Sequence, residues 1–290
     1  MKQLLLLSGK GGTGKTTVAT ALIHLFEAKA FADCDVDAPN LHLMMHHKFL
    51  SDQRAFLGLD KAEIASIICN ACGICQTHCR FDAIQQSHTT KKYEVNPFAC
   101  EGCGVCQYVC PKNAVTMVDS EVGTLSLYNG TKVFSTAQLK MGSGNSGLLV
   151  TEVKKRMKNA VSPEEILAII DGSPGIGCPV IASITGVDLV LIVTEPSLSG
   201  ISDLKRIVET AAGLEAKLAV CINQWDVNKE NTADIEAYCH RRGIPFMGKI
   251  PYDPAVVGAV NKGKSIVEVE CVAGDAVMDI HKNINQLLFG

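Results

Sequence analysis

Two cysteine runs carry the most specific chemistry in this sequence. "CNACGICQTHC" spans Cys69 to Cys79, and "CEGCGVCQYVC" spans Cys100 to Cys110. Each reads C-x2-C-x2-C-x3-C, a ligand spacing for cubane iron–sulfur clusters. In that pattern a tight loop supplies three corners of one cluster, and the fourth cysteine ligates the other cluster. One cluster would then take Cys69, Cys72, Cys75 and Cys110, and the second Cys100, Cys103, Cys106 and Cys79. Gly73 and Gly104 leave the backbone room to approach. Zinc is the rival metal, but its structural sites pair two short C-x2–4-C units across a longer loop, which fits this spacing poorly. Disulfides are the remaining reading of so many cysteines. With every coordination position filled by a thiolate, the clusters suit one-electron transfer better than chemistry at iron.

A second run, Gly9-Lys10-Gly11-Gly12-Thr13-Gly14-Lys15-Thr16, fits G-x-x-x-x-G-K-[ST]. Its glycines let backbone N–H groups turn inward around phosphates, and the helix that follows points its positive end at them. Lys15 is expected to reach the β- and γ-phosphates of ATP and the Thr16 hydroxyl to bind Mg²⁺, with Thr17 beside them.

The elements around these runs follow from periodicity. Residues 3–8 read as a buried strand and 15–28 as a helix, followed by a short strand near 30–34. Apolar runs at 166–170, 188–193 and 217–222 read as further buried parallel strands. Helical patterns lie near 147–159, 200–213, 231–241 and 273–288. Residues 123–134 read as a hairpin turning at Asn129-Gly130. The segment 61–119 breaks the strand–helix rhythm. It repeats itself at an offset of 31 residues (Cys69 to Cys100), which suggests two half-modules about a pseudo-twofold axis. The expected organisation is thus 1–60 and 120–290 as one domain, with 61–119 inserted in it.

The 290 residues are 47% hydrophobic and 20% charged, with a net charge of −3, so a large core is expected and no whole-chain basicity points to nucleic acid or an anionic membrane. Met1-Lys2-Gln3 leads directly into the four-residue run LLLL, too short for a signal or spanning segment. The expected location is cytoplasmic, where thirteen cysteines are better explained by metal than by disulfides.

"GKGGTGKTT" resembles the deviant P-loop of the MinD/ParA/nitrogenase iron-protein class of ATPases, and the cysteine repeat resembles two-cluster bacterial ferredoxins. The first resemblance implies that Lys10 reaches the nucleotide of a partner copy in an ATP-dependent homodimer. "DCDVDAPN" resembles switch I, implying that Asp35, or Asp37 as its rival, orients the attacking water, with Asp33 near the Mg²⁺ shell. "IIDGSPGIG" resembles Walker B and switch II, with Asp171 holding Mg²⁺ through water and the Gly175 N–H sensing the γ-phosphate. "CINQWD" and "IPYDPAV" resemble adenine-edge segments and point to Asn223, Pro251 and Asp253. The implied fold is α/β: a doubly wound, mostly parallel P-loop NTPase sheet of the SIMIBI type, with an inserted α+β ferredoxin domain holding two [4Fe-4S] clusters.

The implied activity is ATP hydrolysis coupled to electron transfer toward an unidentified redox partner. The alternative is a cluster- or metallocofactor-assembly ATPase serving an apo-metalloprotein, although the C-terminal C-x-x-C of such proteins is missing. A positioning ATPase with a structural ferredoxin part is a third reading. Cys178 stands at the offset of a cluster ligand in the nitrogenase iron protein, but the second cysteine of that pair has no counterpart, so a buried thiol at a helix start is expected. Cys34, Cys221, Cys239 and Cys271 lack ligand spacing, and so does the adjacent pair His46-His47. The apolar stripe at 277, 280, 284, 287 and 288 reads as a docking helix and not as a membrane anchor.

Overall fold

A computed structural model of the chain describes residues 1–45, 50–214 and 216–290; His46-His47 lies outside them. β1 (Lys2–Leu7) leads through a loop into α1 (Lys15–Leu25) and β2 (Ala30–Asp33). After β3 (Asp52–Leu57) come six short pieces: β4 (Lys61–Ile64), α2 (Ile74–Thr77), β5 (Ile84–Gln86), β6 (Tyr93–Val95), α3 (Val105–Tyr108) and β7 (Val115–Val118). β8 (Glu121–Asn129) and β9 (Val133–Leu139) follow, then α4 (Ser146–Ala160), β10 (Leu167–Asp171) and α5 (Cys178–Ile184). The chain closes with β11 (Leu189–Thr194), α6 (Leu198–Ala211), β12 (Lys217–Asn223), α7 (Lys229–Arg242), β13 (Phe246–Ile250), α8 (Pro254–Asn261) and α9 (Val272–Phe289).

The chain divides into two units: residues 1–54, 125–138 and 146–290, and residues 55–124 with 139–145. The first is built on a sheet of order β13-β12-β11-β1-β10-β2-β9-β8-β3. From β13 to β9 every neighbouring pair is parallel. β8 and β9 are adjacent and joined by residues 130–132 alone, a connection too short for anything but an antiparallel turn. Leu4 and Leu6 of β1 pack with α1 and α9 in one core, while Leu5 and Leu7 point to the other face and are equally buried. That double burial is why β1, β10 and β11 read as unbroken apolar runs. The stripe on α9 (Val277, Ile280, Ile284) belongs to the same core, so this helix docks on its own sheet. β1 lies between β10 and β11, which places the β1–α1 loop at the point where the strand order reverses, above the strand ends Asp33 and Asp171.

The second unit repeats itself. β4 pairs antiparallel with β7 and β5 with β6, so each small sheet joins one strand from either half. Ile64 faces Val115 and Ile84 faces Val95, the same pairing after the offset of 31. The unusual backbone follows suit, with φ of +79° at Gly73 and +73° at Gly104, and +50° at Asp82 and +51° at Asn113.

Candidate nucleotide site and cysteine-lined cavities

Glycine in the β1–α1 loop answers to specific neighbours. Gly14, at φ +86°, caps α1, and a Cβ there would collide with the Asn223 amide. A Cβ on Gly9 would strike Asp203 of α6. Lys15 opens α1 and is 6% exposed; its Nζ donates to Asp171 Oδ1 at 2.5 Å, and the Thr16 hydroxyl donates to Asp171 Oδ2 at 2.6 Å. Burial works against the Lys15 ammonium, but Asp171, with Asp33 and Asp35 beyond it, outweighs burial and raises its pKa. Asp33 is fully buried and accepts from the backbone N–H groups of Asp35, Asn40 and Leu41, each at 3.0 Å. Burial first, and then Asp171, pushes its carboxyl up to about 7. Burial also raises Asp35.

Lys15, Thr16 and Asp35 line a cleft of about 580 Å³ together with the rest of residues 11–17, Asp37, Asn40, Ser173 and Pro174, while Asp33 and Asp171 lie buried and do not line it. Asp35 and Asp37 both reach it. The Thr13 hydroxyl is buried beside it and has no hydrogen-bond partner among the described residues. Ser173 Oγ donates to the Cys34 carbonyl at 2.6 Å, tying the loop after β10 to the loop after β2. The Gly175 N–H donates to the Ser8 carbonyl at 2.9 Å, so here it is committed to the loop and not free for a phosphate.

A second cavity of about 240 Å³ shares Gly12, Gly14 and Thr17 with the first. Val18, Ile250, Val256, Val257 and Val260 give it aliphatic walls, and Asn223, Gln224 and Asn261 supply polar groups. Asn223 Nδ2 donates to the Thr13 carbonyl at 2.8 Å. Pro251 and Asp253 do not line it. The Asp253 carboxylate is occupied by helix starts, accepting from Ala255 N of α8 at 2.9 Å and Ala273 N of α9 at 3.3 Å. The residues missed from the sequence are therefore Gln224, Asn261 and the α8 valines. Lys10 turns to its own chain, with Nζ 2.6 Å from Glu195 Oε1 and donating to Ser199 Oγ at 3.0 Å.

In the other unit, Cys69, Cys72, Cys75 and Cys110 line one small cavity of about 10 Å³, and Cys79, Cys100, Cys103 and Cys106 line another of about 20 Å³. Each set combines three cysteines of one half with the last cysteine of the other. Exposure follows the repeat: Cys69, Cys75, Cys100 and Cys106 are buried, Cys79 and Cys110 intermediate, Cys72 and Cys103 exposed. Backbone N–H groups of Ala71 and Ala114 donate to the sulfurs of Cys69 and Cys110 at 3.4 and 3.3 Å. Among the described residues no three His, Cys, Asp or Glu side chains group so as to hold a metal ion.

Residues 4–266 match the family described as CbiA, the CobQ/CobB/MinD/ParA nucleotide-binding domain. The chain belongs to this family. An uncharacterized protein of Methanocaldococcus jannaschii is 35% identical over 237 residues, 79% of this chain and 80% of that one. The septum site-determining protein MinD of Pyrococcus horikoshii, solved with Mg-ADP, shares the fold with a TM-score of 0.58 at 19% identity, covering 99% of this chain and 96% of that one. The MinC:MinD cell division complex of Aquifex aeolicus gives 0.56 at 16% identity, with coverage of 99% and 96%. The chain is thus a MinD/ParA-type P-loop ATPase with an α/β, mostly parallel sheet.

The cysteines outside the two cavities divide by burial. Burial holds the thiols of Cys34 and Cys221 up at about 12 and that of Cys239 at about 11. Cys271 Sγ caps α9, accepting from Gly274 N at 3.3 Å. Cys178 does start a helix but is exposed, against the expectation of a buried thiol. The buried face of α5 is Val180, Ser183 and Ile184, and position 178 falls outside that spacing. No helix among the described residues is long and apolar enough to cross a membrane.

Proposed function

We propose that this family member hydrolyses MgATP and couples the resulting changes in its switch loops, and in a homodimer, to electron transfer through two [4Fe-4S] clusters. The observation that carries the redox half is the three-plus-one sharing of eight cysteines between two cavities. This is the division of ligands that two-cluster proteins use. Four thiols spread round a cavity suit a polynuclear group better than a single ion, whose donors must close to about 2.3 Å of one point. The backbone N–H groups aimed at Cys69 and Cys110 suit thiolate sulfur. Bound there, the clusters would supply one-electron redox chemistry.

On the nucleotide side, the Thr16 hydroxyl and Asp171 would hold Mg²⁺, which offsets phosphate charge, with Asp33 fixing the loop behind them. Lys15 would exchange its bond to Asp171 for the phosphates, and the unpartnered Thr13 hydroxyl would gain an acceptor. Asp35 or Asp37 would orient the attacking water. Lys10, released from Glu195, would reach the nucleotide of a second copy. The Mg-ADP bound to the Pyrococcus horikoshii relative supports this assignment of ligand. Nucleotide can bias such a switch only through different affinities for its two states.

The test is oxygen-free purification with metal analysis and a redox titration followed by EPR, with and without MgATP. About eight irons per chain, four in each cubane, and potentials that move with nucleotide are expected. Zinc in place of iron would end the redox reading, and potentials blind to MgATP would end the coupling. One observation favours a cluster-carrier reading: Cys178 is an exposed thiol next to Pro179, which lines the nucleotide cleft. Transfer of iron and sulfide from the loaded protein to an apo-acceptor, dependent on Cys178, would put that reading first.

A further inference from the structure

The repeat in the second unit extends to two lysines outside the cysteine motifs. Lys61 and Lys92 stand 31 positions apart, as do Cys69 and Cys100. Each lysine crosses to the opposite half: Lys61 Nζ donates to the carbonyl oxygen of Cys100, and Lys92 Nζ to that of Cys69. Both contacts are half-buried. The next residues, Ala62 and Tyr93, line the cavities of Cys100 and Cys69 respectively. The ion pairs among the described residues involve neither lysine.

We propose that Lys61 and Lys92 are a matched pair of positioning residues, each holding an ammonium against the first cysteine of the opposite half and so raising the reduction potential of one cluster. The inference rests on the iron–sulfur reading above. A fixed positive charge favours the more negative, reduced state of whatever the neighbouring thiolates bind, and half-burial limits the screening that would weaken it. The crossing makes the effect selective: Lys92 acts on the centre held by Cys69, Cys72, Cys75 and Cys110, and Lys61 on the other. A purely structural tie would need a hydrogen-bond donor but no charge.

Substitution separates charge from donor. Lys61→Gln and Lys92→Gln keep a donor and lose the charge, while Lys61→Arg and Lys92→Arg keep both. Each protein, purified without oxygen, is assayed for iron and titrated by EPR without nucleotide. Each glutamine variant is expected to retain iron and to move one of the two potentials downward, by roughly tenfold in the reduction equilibrium or about 59 mV for one electron. The double variant moves both, and arginine leaves them in place. Loaded glutamine variants with unmoved potentials overturn this inference alone, and a wild type without cubane iron overturns the underlying reading with it. Should a glutamine variant lose iron, arginine decides: iron and potentials kept support the pairing, and iron lost there too overturns it.

Discussion

Lys10 Nζ sits 2.6 Å from Glu195 Oε1 of its own chain, and Ser197 Oγ donates to the same carboxylate oxygen at 2.9 Å. A lysine proposed to serve a second copy is therefore occupied within the first. The pair is about one-third exposed, with side chains 37% and 23% accessible, so it contributes roughly 0.2–1 kcal/mol. Two such pairs are released per dimer, so Glu195→Gln is expected to lower the concentration needed for MgATP-dependent dimerisation by about 2- to 30-fold in sedimentation measurements. Lys10→Ala is expected to remove that dimer while leaving MgADP affinity near wild type. A Lys10→Ala protein that still dimerises with MgATP would exclude the trans role.

Lys15 and Asp171 differ from that pair because both are buried, with 6% and 0% exposure. Removing one member leaves the other without its counter-charge, a change that costs roughly 3–5 kcal/mol in buried pairs. Lys15→Met is expected to abolish MgATP binding and to lower the nucleotide-free melting temperature while leaving bound iron unchanged. Adding Asp171→Asn should restore much of the stability and none of the binding. Stability unaffected by Lys15→Met alone would mean that the ion pair holds nothing in place.

Much of this site is legible in the chain because local rules and tertiary needs agree there. A leucine run followed by Gly9 to Thr16 reads as strand, phosphate loop and helix from its periodicity and its glycine–lysine spacing. The second cavity, walled by Ile250 and the α8 valines, is not legible in that way. β13 is interrupted by Gly248, whose φ is +140° and whose absent Cβ admits Ile280 of α9, so no apolar run announces it. Pro251 and Asp253 suit a nucleotide contact by resemblance, yet Asp253 followed by Pro254 at the first position of α8 is a helix start, and the carboxylate is consumed there. The lysine crossings were hidden for another reason. Lys61 and Cys100 are 39 residues apart and meet only because strands of opposite halves pair.

Asp33 sets a pH dependence whose sign is opposite to that of a salt-bridged carboxylate. Its carboxyl is raised from about 3.8 to about 7, chiefly by burial and by Asp171. Between those values the folded chain binds a proton that the unfolded chain has lost, so stability falls as pH rises through this window and levels off above about 7. Asp33→Asn, measured without nucleotide, is expected to flatten the decline between about pH 4 and 7 relative to wild type in denaturant titrations. A wild-type minus variant difference that is constant across that range would mean Asp33 is already ionised at low pH in the fold.

Thiol accessibility distinguishes ligation from mere proximity without any assay of activity. Cys72, Cys103 and Cys178 are the exposed cysteines among the described residues, while Cys34, Cys221 and Cys239 are buried with raised thiol pKa values. A thiol held at about 12 has almost no thiolate at pH 8, so alkylation should pass it by. If Cys72 and Cys103 are ligands, an iron-loaded protein should react with iodoacetamide at Cys178 first, and both should become reactive once the iron is chelated. Peptide mass spectrometry of the two states reads this directly. Because Cys72 and Cys103 stand one in each half, equal protection of both implies two filled sites, and protection of one alone implies a single site. Equal labelling of all three thiols before and after chelation would remove the ligand assignment while leaving the nucleotide site intact.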